Sequence, residues 1–406
     1  MDIRIRPIEP DELASFTTTT EASFGEHPTP GSIERWRTVF EFDRSLAAFD
    51  RTAIVGTTGL LTLTLTTPGG EAPMAGVTAV GVLPSHRRRG ILTALMRQQL
   101  DDIRERGEPL AGLWASEGTI YGRFGYGLAT LGIRIEADRD RTTFVNQVDD
   151  PGSLEMVDHD EALREMPAVF ERCRPRRAGM LTMNEAMWTS EFTDLEHHRG
   201  GASALFYVLH RSAGGVDGYL TYRVKSVWTA GIPGNTFVVR DLLAEAPESY
   251  AALWRFAFGM DLNRTVEAWG RPADEPLLLM VAEPRRLRPS LIDCLYVRLV
   301  DVAGAMEARR YGADGSLVLD VRDAFCPWNE GRYELAGGPD GATCRRTTHE
   351  PDLRLAVADL GALYLGGTGA RALATAGRIS EERPGSVDLA GRMFATGQAP
   401  WCPFLF

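Results

Sequence analysis

No apolar run in this chain is long enough to cross a bilayer, which takes roughly 20 residues in a helix, so no membrane span is expected. The opening residues Met1–Pro7 carry no apolar signal core. The five cysteines, at 173, 294, 326, 344 and 402, are odd in number, scattered, and include no Cys-x-x-Cys pair. That pattern speaks for reduced thiols in a cytoplasmic protein and against a metal site. A surplus of positive charge is missing as well, since the formal net charge is −11. Nucleic acid and anionic membranes need basic surfaces, so neither is an expected partner, whereas a cationic substrate is compatible. The pair His197-His198 has no two further ligands beside it and reads as a surface feature, because zinc takes three or four.

What is present is an ordinary globular composition, 44% hydrophobic and 24% charged over 406 residues, enough for two to three domains. The most informative stretch is Val77–Leu113. Val77-Thr78-Ala79-Val80-Gly81-Val82 alternates like a half-buried strand, and Pro84 stops it. Apolar residues at 91, 92, 95, 96, 100 and 103 then follow the helical period up to Gly107, and Leu110–Ala115 reads as the next strand. Between strand and helix lies Arg87-Arg88-Arg89-Gly90. A helix N-terminus has unpaired N–H groups and a positive dipole end, and arginines add donors that match phosphate oxygens. Gly90 leaves room for a pyrophosphate. A solvated basic turn is the plain alternative for three arginines, but strand and helix supply the context a phosphate cradle needs.

The run Val80-x-Val82-x-Pro84-x-x-Arg87-Arg88-Arg89-Gly90 resembles the acetyl-CoA pyrophosphate loop of the GNAT superfamily of N-acetyltransferases, with Leu92 where Gly or Ala is usual. Tyr121-x-x-x-Gly125-Tyr126 resembles the superfamily's Tyr-x-x-x-Gly-Phe segment. The whole run Trp114–Gly127 is similar to the enhanced intracellular survival (Eis) family of multi-acetylating aminoglycoside N-acetyltransferases. The resemblance implies an α+β chain of two GNAT-like domains followed by a sterol-carrier-protein-like domain. It implies acetyl-CoA as cosubstrate with no metal, held by Val80, Val82, Arg87, Arg88, Arg89, Gly90, Ile91 and, more weakly, Ser116. Tyr121 becomes the acid for the leaving thiolate. Phe24, Glu26 and Trp36 match positions that line the amine pocket, and aromatic faces with a carboxylate suit a cation. Core packing is the alternative for Phe24 and Trp36. Trp114 stands where some relatives have histidine, which implies a differently shaped pocket.

The pass along the chain gives β-α-α-β-β-β-α-β-α for the first domain, which is expected to end in the charged, turn-rich stretch before Asp149. Residues 149–288 are expected to form a second GNAT-like domain, with helices at Asp160–Arg174, Asn184–Phe192 and Ser249–Met260 and strands that include Leu277–Val281. It has no Arg-x-x-Gly turn after a strand, so no second cofactor site is expected. Residues 289–406 form the third domain, read as scaffold rather than lipid carrier. The tail Pro400–Phe406 is aromatic to its last residue, where frayed polar ends are usual. The resemblance implies that it reaches the first domain and that the Phe406 carboxylate is the general base; docking for packing alone is the alternative. A homohexamer is implied by the family. Two other functions stay open: acetylation of protein lysines or polyamines, and a non-catalytic acyl-CoA- or lipid-binding regulator.

Overall fold

The computed structural model describes residues 3–29, 31–146 and 148–406; Met1, Asp2, Pro30 and Gln147 lie outside the described residues, and with them the ends of the expected 23–30 loop and of the N-terminal reading. The first domain follows the expected order: β1 (Ile3–Pro7), α1 (Leu13–Phe24), α2 (Ser32–Val39), β2 (Leu46–Asp50), β3 (Ala53–Thr67), β4 (Gly70–Val82), α3 (Ile91–Glu105), β5 (Leu110–Trp114) and α4 (Gly118–Tyr121), with the short β6 (Gly127–Leu128) after it. The period-two run of β3 pairs along its length with β4. α3 buries Ile91, Leu95, Met96, Leu100 and Ile103, the face its apolar spacing predicts.

A second sheet takes β7 (Leu131–Asp138), β8 (Ser153–Val157), β9 (Phe206–Ser212), β10 (Gly215–Lys225), β13 (Asn235–Ala244), β14 (Asn263–Pro272) and β15 (Ser290–Asp293), while β11 (Trp228–Thr229) and β12 (Ile232–Pro233), between β10 and β13 in the chain, form a separate two-stranded hairpin. Its helices are α5 (His159–Cys173), α6 (Glu185–Glu191), α7 (Pro247–Gly259) and α8 (Leu277–Met280). Strand order is β15-β7-β14-β13-β10-β9-β8. β16 (Leu295–Leu299) then returns to the first sheet, whose order is β1-β2-β3-β4-β5-β16-β6. The third domain holds α9 (Val302–Glu307), β17 (Gly315–Arg322), β18 (Gly331–Gly338), β19 (Gly341–Arg346), β20 (Leu353–Ala356), α10 (Val357–Tyr364), α11 (Ala370–Thr375), β21 (Ile379–Glu381) and α12 (Ser386–Phe394). Its sheet runs β19-β18-β17-β20-β21.

Three expectations need correcting. The break expected at 148/149 does not divide the sheets, because β7 precedes it yet belongs to the second sheet, where Ile133, Ile135 and Ala137 join that core. The charged residues after Asp138 end a strand, not a domain. The break at 288/289 is also displaced: β15 stays with the second sheet and β16, buried along its whole length, closes the first. Leu277–Val281 is a helical turn begun at Pro276 rather than a strand, and the strand is Asn263–Pro272, whose polar residues disguise it. The third domain is seated on the first through α10. A Cβ on Gly127 would lie 1.8 Å from the Ala358 carbonyl oxygen, and one on Gly361 would lie 2.3 Å from that of Val297, so backbones touch there.

Candidate active site

In the first sheet the parallel partners β4 and β5 stay paired only at Met74–Leu110, Ala75–Ala111 and Gly76–Gly112. Beyond Gly76, β4 keeps to β3 and β5 keeps to β16, so a wedge opens between them. A bulge with Ala79 at φ +51° interrupts the β3–β4 register. Thr57 Oγ1 donates to the Ala79 carbonyl at 2.9 Å and accepts from Thr20 Oγ1 at 2.9 Å, which ties the bulge to α1. Val80, Gly81 and Val82 then line a cavity of about 750 Å³, together with Arg87, Arg88, Gly90, Ile91, Ser116 and Tyr121. Leu92, Glu117 and Arg123 also line it.

The basic turn divides its labour. The Arg87 guanidinium donates to the carbonyls of Val82 at 3.2 Å and Ser23 at 2.6 Å, clamping the end of α1 to β4. Arg88, at φ +62°, lines the cavity, whereas Arg89 is outside its lining. Gly90 caps α3 at φ +80°, a conformation that favours glycine, and nothing stands within 4 Å of where its Cβ would be. The 15-residue α3 has no side-chain cap, so its leading N–H groups remain for an anion. Open space, arginine donors and free N–H groups together fit a pyrophosphate.

Tyr121, on α4, faces the same cavity while only 5% exposed. Burial pushes its phenol up to about 12, so it keeps its proton at neutral pH. Tyr126 packs edge-on against it, ring centroids 6.1 Å apart. Its own hydroxyl is buried without a partner among the described residues and lies outside the cavity lining.

A second cavity, about 310 Å³, lies beside the first. α1 gives Glu21 to it and Ser23 and Phe24 to the other; β4 gives Thr78 to it and Val80–Val82 to the other. Trp36, Arg35, Glu191, His198, Phe404 and Phe406 are also in its wall. The Phe406 ring lies where the wedge begins: a Cβ on Gly76 would sit 3.1 Å from that ring and 2.5 Å from Leu63 Cδ1. One Glu21 carboxyl oxygen is buried without a hydrogen-bond partner among the described residues, and burial raises the Glu21 pKa. Burial also raises that of Glu191, against the pull of Arg240 and Arg35. Partial burial, His197 and Arg35 lower that of His198.

The structure separates the four residues assigned to the amine pocket. Trp36 lines it. Phe24, the last residue of α1, lines the first cavity instead and is 53% exposed. Glu26 is exposed and lines neither cavity, lying past the turn at Gly25. Trp114 lines neither; strand alternation puts it on the face opposite Leu113, where it packs 5.5 Å from Trp269 of β14. His197-His198 is solvent-exposed as expected, but His198 also borders the second cavity. Glu21, Glu191 and Arg35 were missed: no motif marks them, and it is the packing of α2 on both α1 and α6 that brings two domains' charges together. Among the described residues no group of three or more His, Cys, Asp or Glu is placed to hold a metal, and no helix is long and apolar enough to cross a membrane.

Comparison with known proteins agrees with this architecture. Residues 4–129 and 179–299 each match a family described as acetyltransferase (GNAT) domain, and residues 302–403 match the sterol carrier protein domain. An uncharacterized N-acetyltransferase from Streptomyces avermitilis is 46% identical over the whole of both chains. The N-acetyltransferase Eis of Mycobacterium tuberculosis is 33% identical over 92% of each chain. The crystal structure of Eis1 from Mycobacterium abscessus superposes with a TM-score of 0.86, at 33% identity, covering 100% of both chains. Two acetyltransferase domains, a carrier-type third domain and this span of identity place the chain in the Eis family of GNAT N-acetyltransferases.

Proposed function

We propose that this acetyltransferase moves the acetyl group of acetyl-CoA to primary amines of a cationic polyamine such as an aminoglycoside, at more than one amine. The observation that carries the reading is the pair of adjoining cavities: one has a phosphate cradle and Tyr121, the other has Glu21, Glu191 and Trp36. Carboxyls and an aromatic face attract ammonium groups, and a cavity shared by two domains suits a substrate with several of them.

The attacking amine must be neutral, so a base takes its proton. We assign that role to the α-carboxylate of Phe406, whose residue lines the amine cavity. The amine nitrogen bonds to the thioester carbonyl carbon, the carbon–sulfur bond breaks, and Tyr121 gives its proton to the departing thiolate. Backbone groups of Val80 and Val82 orient the donor and polarise its carbonyl. All five cysteines are buried and none lines either cavity among the described residues, which favours direct transfer over an acyl-enzyme. The same reading carries a closed homohexamer, supported by exposed apolar residues such as Trp228, Ile232 and Leu291 and checked by light scattering.

The test is thiol release from acetyl-CoA with a panel of aminoglycosides, linear polyamines and lysine peptides, with product mass measured. Mass steps of several acetyl groups on an aminoglycoside support the reading. Transfer to lysine peptides or linear polyamines alone would replace it, and no thiol release with any amine would leave a non-catalytic binder.

A further inference from the structure

The second GNAT repeat repeats the wedge of the first, and the chain's own tail lines it. β13 and β14 pair in parallel from Asn235–Asn263 to Val239–Ala268 and then separate, β14 continuing against β7 through Arg271 and Pro272. This corresponds to the opening after Gly76 and Gly112 in the first repeat. Trp401, 4% exposed, forms part of the wall of a cavity of about 320 Å³ at the second opening, together with Leu243, Ala244 and Arg271. Its indole N–H donates to the Gly270 carbonyl at 2.6 Å, and its backbone N–H donates to that of Ala178 at 2.8 Å. The Arg271 guanidinium lies 5.1 Å from its ring. Two residues back, Arg177 donates to the Ala399 carbonyl at 2.9 Å, and the Ala399 N–H donates to Asp274 at 2.9 Å. Arg177 and Asp274 are themselves paired. Five residues further on, the Phe406 ring meets Gly76 at the first wedge.

We infer that Trp401 is a positioning residue: anchored in the second repeat's wedge, it sets where Phe404–Phe406 stand in the wall of the amine cavity. The inference rests on the acetyl-transfer reading, and it gives the second repeat a part in catalysis without a cofactor. Phe404 and Phe406 line the amine cavity, and five residues of extended chain reach at most about 18 Å. A register fixed at Trp401 by two hydrogen bonds therefore limits the play at Phe406, and misplacement of about 1 Å at a reacting group costs on the order of 10²-fold.

The test uses the full chain with Trp401→Ala, and Asp274→Ala as a milder variant should the first fold poorly. Three readouts are taken: release of C-terminal residues by carboxypeptidase, steady-state kcat and KM for the amine, and acetyl-CoA affinity by calorimetry. The expected result for Trp401→Ala is tail trimming at least about tenfold faster, kcat lower by about 10²-fold and acetyl-CoA affinity within about twofold of wild type. Asp274→Ala should move the same quantities in the same direction by less. A merely structural residue would lower the yield of active enzyme without loosening the tail or separating kcat from acetyl-CoA binding. Unchanged trimming in both variants overturns the anchor. A loosened tail with unchanged kcat overturns the positioning role and shows that Phe406 is not the base. Absence of transfer in the wild-type enzyme with every amine is a failure of the acetyl-transfer reading alone, and the trimming assay still decides the anchor.

Discussion

The two acetyltransferase repeats share a strand–helix–strand crossover and differ in the turn that opens its helix. In the first, eight residues separate Val82 from Ile91, three of them arginines and the last a glycine at positive φ. In the second, only Glu245 and Ala246 stand between Ala244 and Pro247. A two-residue turn with a carboxylate offers no cradle to a phosphate, and Arg172 already satisfies Glu245 at 2.6 Å. The wedge is bridged as well: the Arg271 side chain donates to the Leu242 carbonyl at 2.8 Å across it and pairs with buried Glu275 at 3.0 Å. On the proposed reading, one fold serves as catalyst where its turn offers an anion cradle, and as wall and anchor where it does not.

The largest expected effect falls on the first repeat. Tyr121→Phe should lower kcat by about 10²–10⁴-fold while acetyl-CoA affinity holds, the usual cost of removing a positioned acid. Tyr126→Phe should leave kcat within a few-fold and melting temperature equal or higher, since its buried hydroxyl has no partner among the described residues. Steady-state kinetics on both variants decides the assignment, and the reverse ranking would move the acid to Tyr126.

Next in size is the tail. Two glycines added after Phe406 displace its carboxylate by several ångströms, as each residue spans up to about 3.6 Å. A loss of about 10²-fold in kcat is expected, with melting temperature near wild type, while an N-terminal tag should be harmless. Full activity in the extended chain would transfer the role of base to Glu21, Glu191 or His198.

A smaller effect sharpens the contrast between the turns. Arg88→Ala should weaken acetyl-CoA about tenfold, as loss of a hydrogen bond to a charged group does. Calorimetry should give one acetyl-CoA per chain, and Glu245→Arg should not add a second, because the two-residue turn stays too short for a cradle and the Arg271 side chain still bridges the wedge to the Leu242 carbonyl. A stoichiometry of two would break the comparison.

How much of this was legible in the sequence follows from the range of the interactions. The strand, arginine turn and helix of 77–107 are local, and their chemistry can be read from spacing. The first domain's element order was legible for the same reason. The crossing of β7 and β16 was not, since Leu131–Asp138 and Leu295–Leu299 look like any strands and only long-range pairing decides which sheet takes them. Trp36 was singled out through family likeness, and it lines the second cavity. Glu21 and Glu191 were not, because nothing in a threonine-rich helix marks one carboxylate as facing another domain. Trp114 misled because strand alternation, not residue type, chose its side.

The smallest expected effect concerns the edges of the two sheets, and its sign differs between them. In the first repeat, the edge strand β1 carries Arg6, which pairs with Glu12 at 2.6 Å; that hydrogen bond lowers the Glu12 pKa to about 2. A depressed carboxyl contributes stability that is present above its unfolded pKa and is lost as pH falls towards about 2. In the second repeat, the edge strand β8 pairs with β9, where buried His210 lies 2.5 Å from Asp217 and 3.0 Å from Asp150. Burial alone would lower the His210 pKa, but the hydrogen bonds to Asp217 and Asp150 outweigh it and the net shift is upward. Both ring nitrogens donate only in the imidazolium form. This contribution is full below the ordinary histidine value of about 6.5 and is lost as pH rises through the higher folded value. Thermal melts at a series of pH values separate the two clips. His210→Gln should cost a few degrees near pH 6, since about 1 kcal/mol shifts Tm by roughly 2–4 °C in domains of this size. That difference from wild type should shrink as pH rises. The deficit of Glu12→Gln should instead be the same at pH 6 and pH 9 and shrink only in acid. A His210→Gln deficit that grows towards alkaline pH would mean that the native clip holds a neutral imidazole.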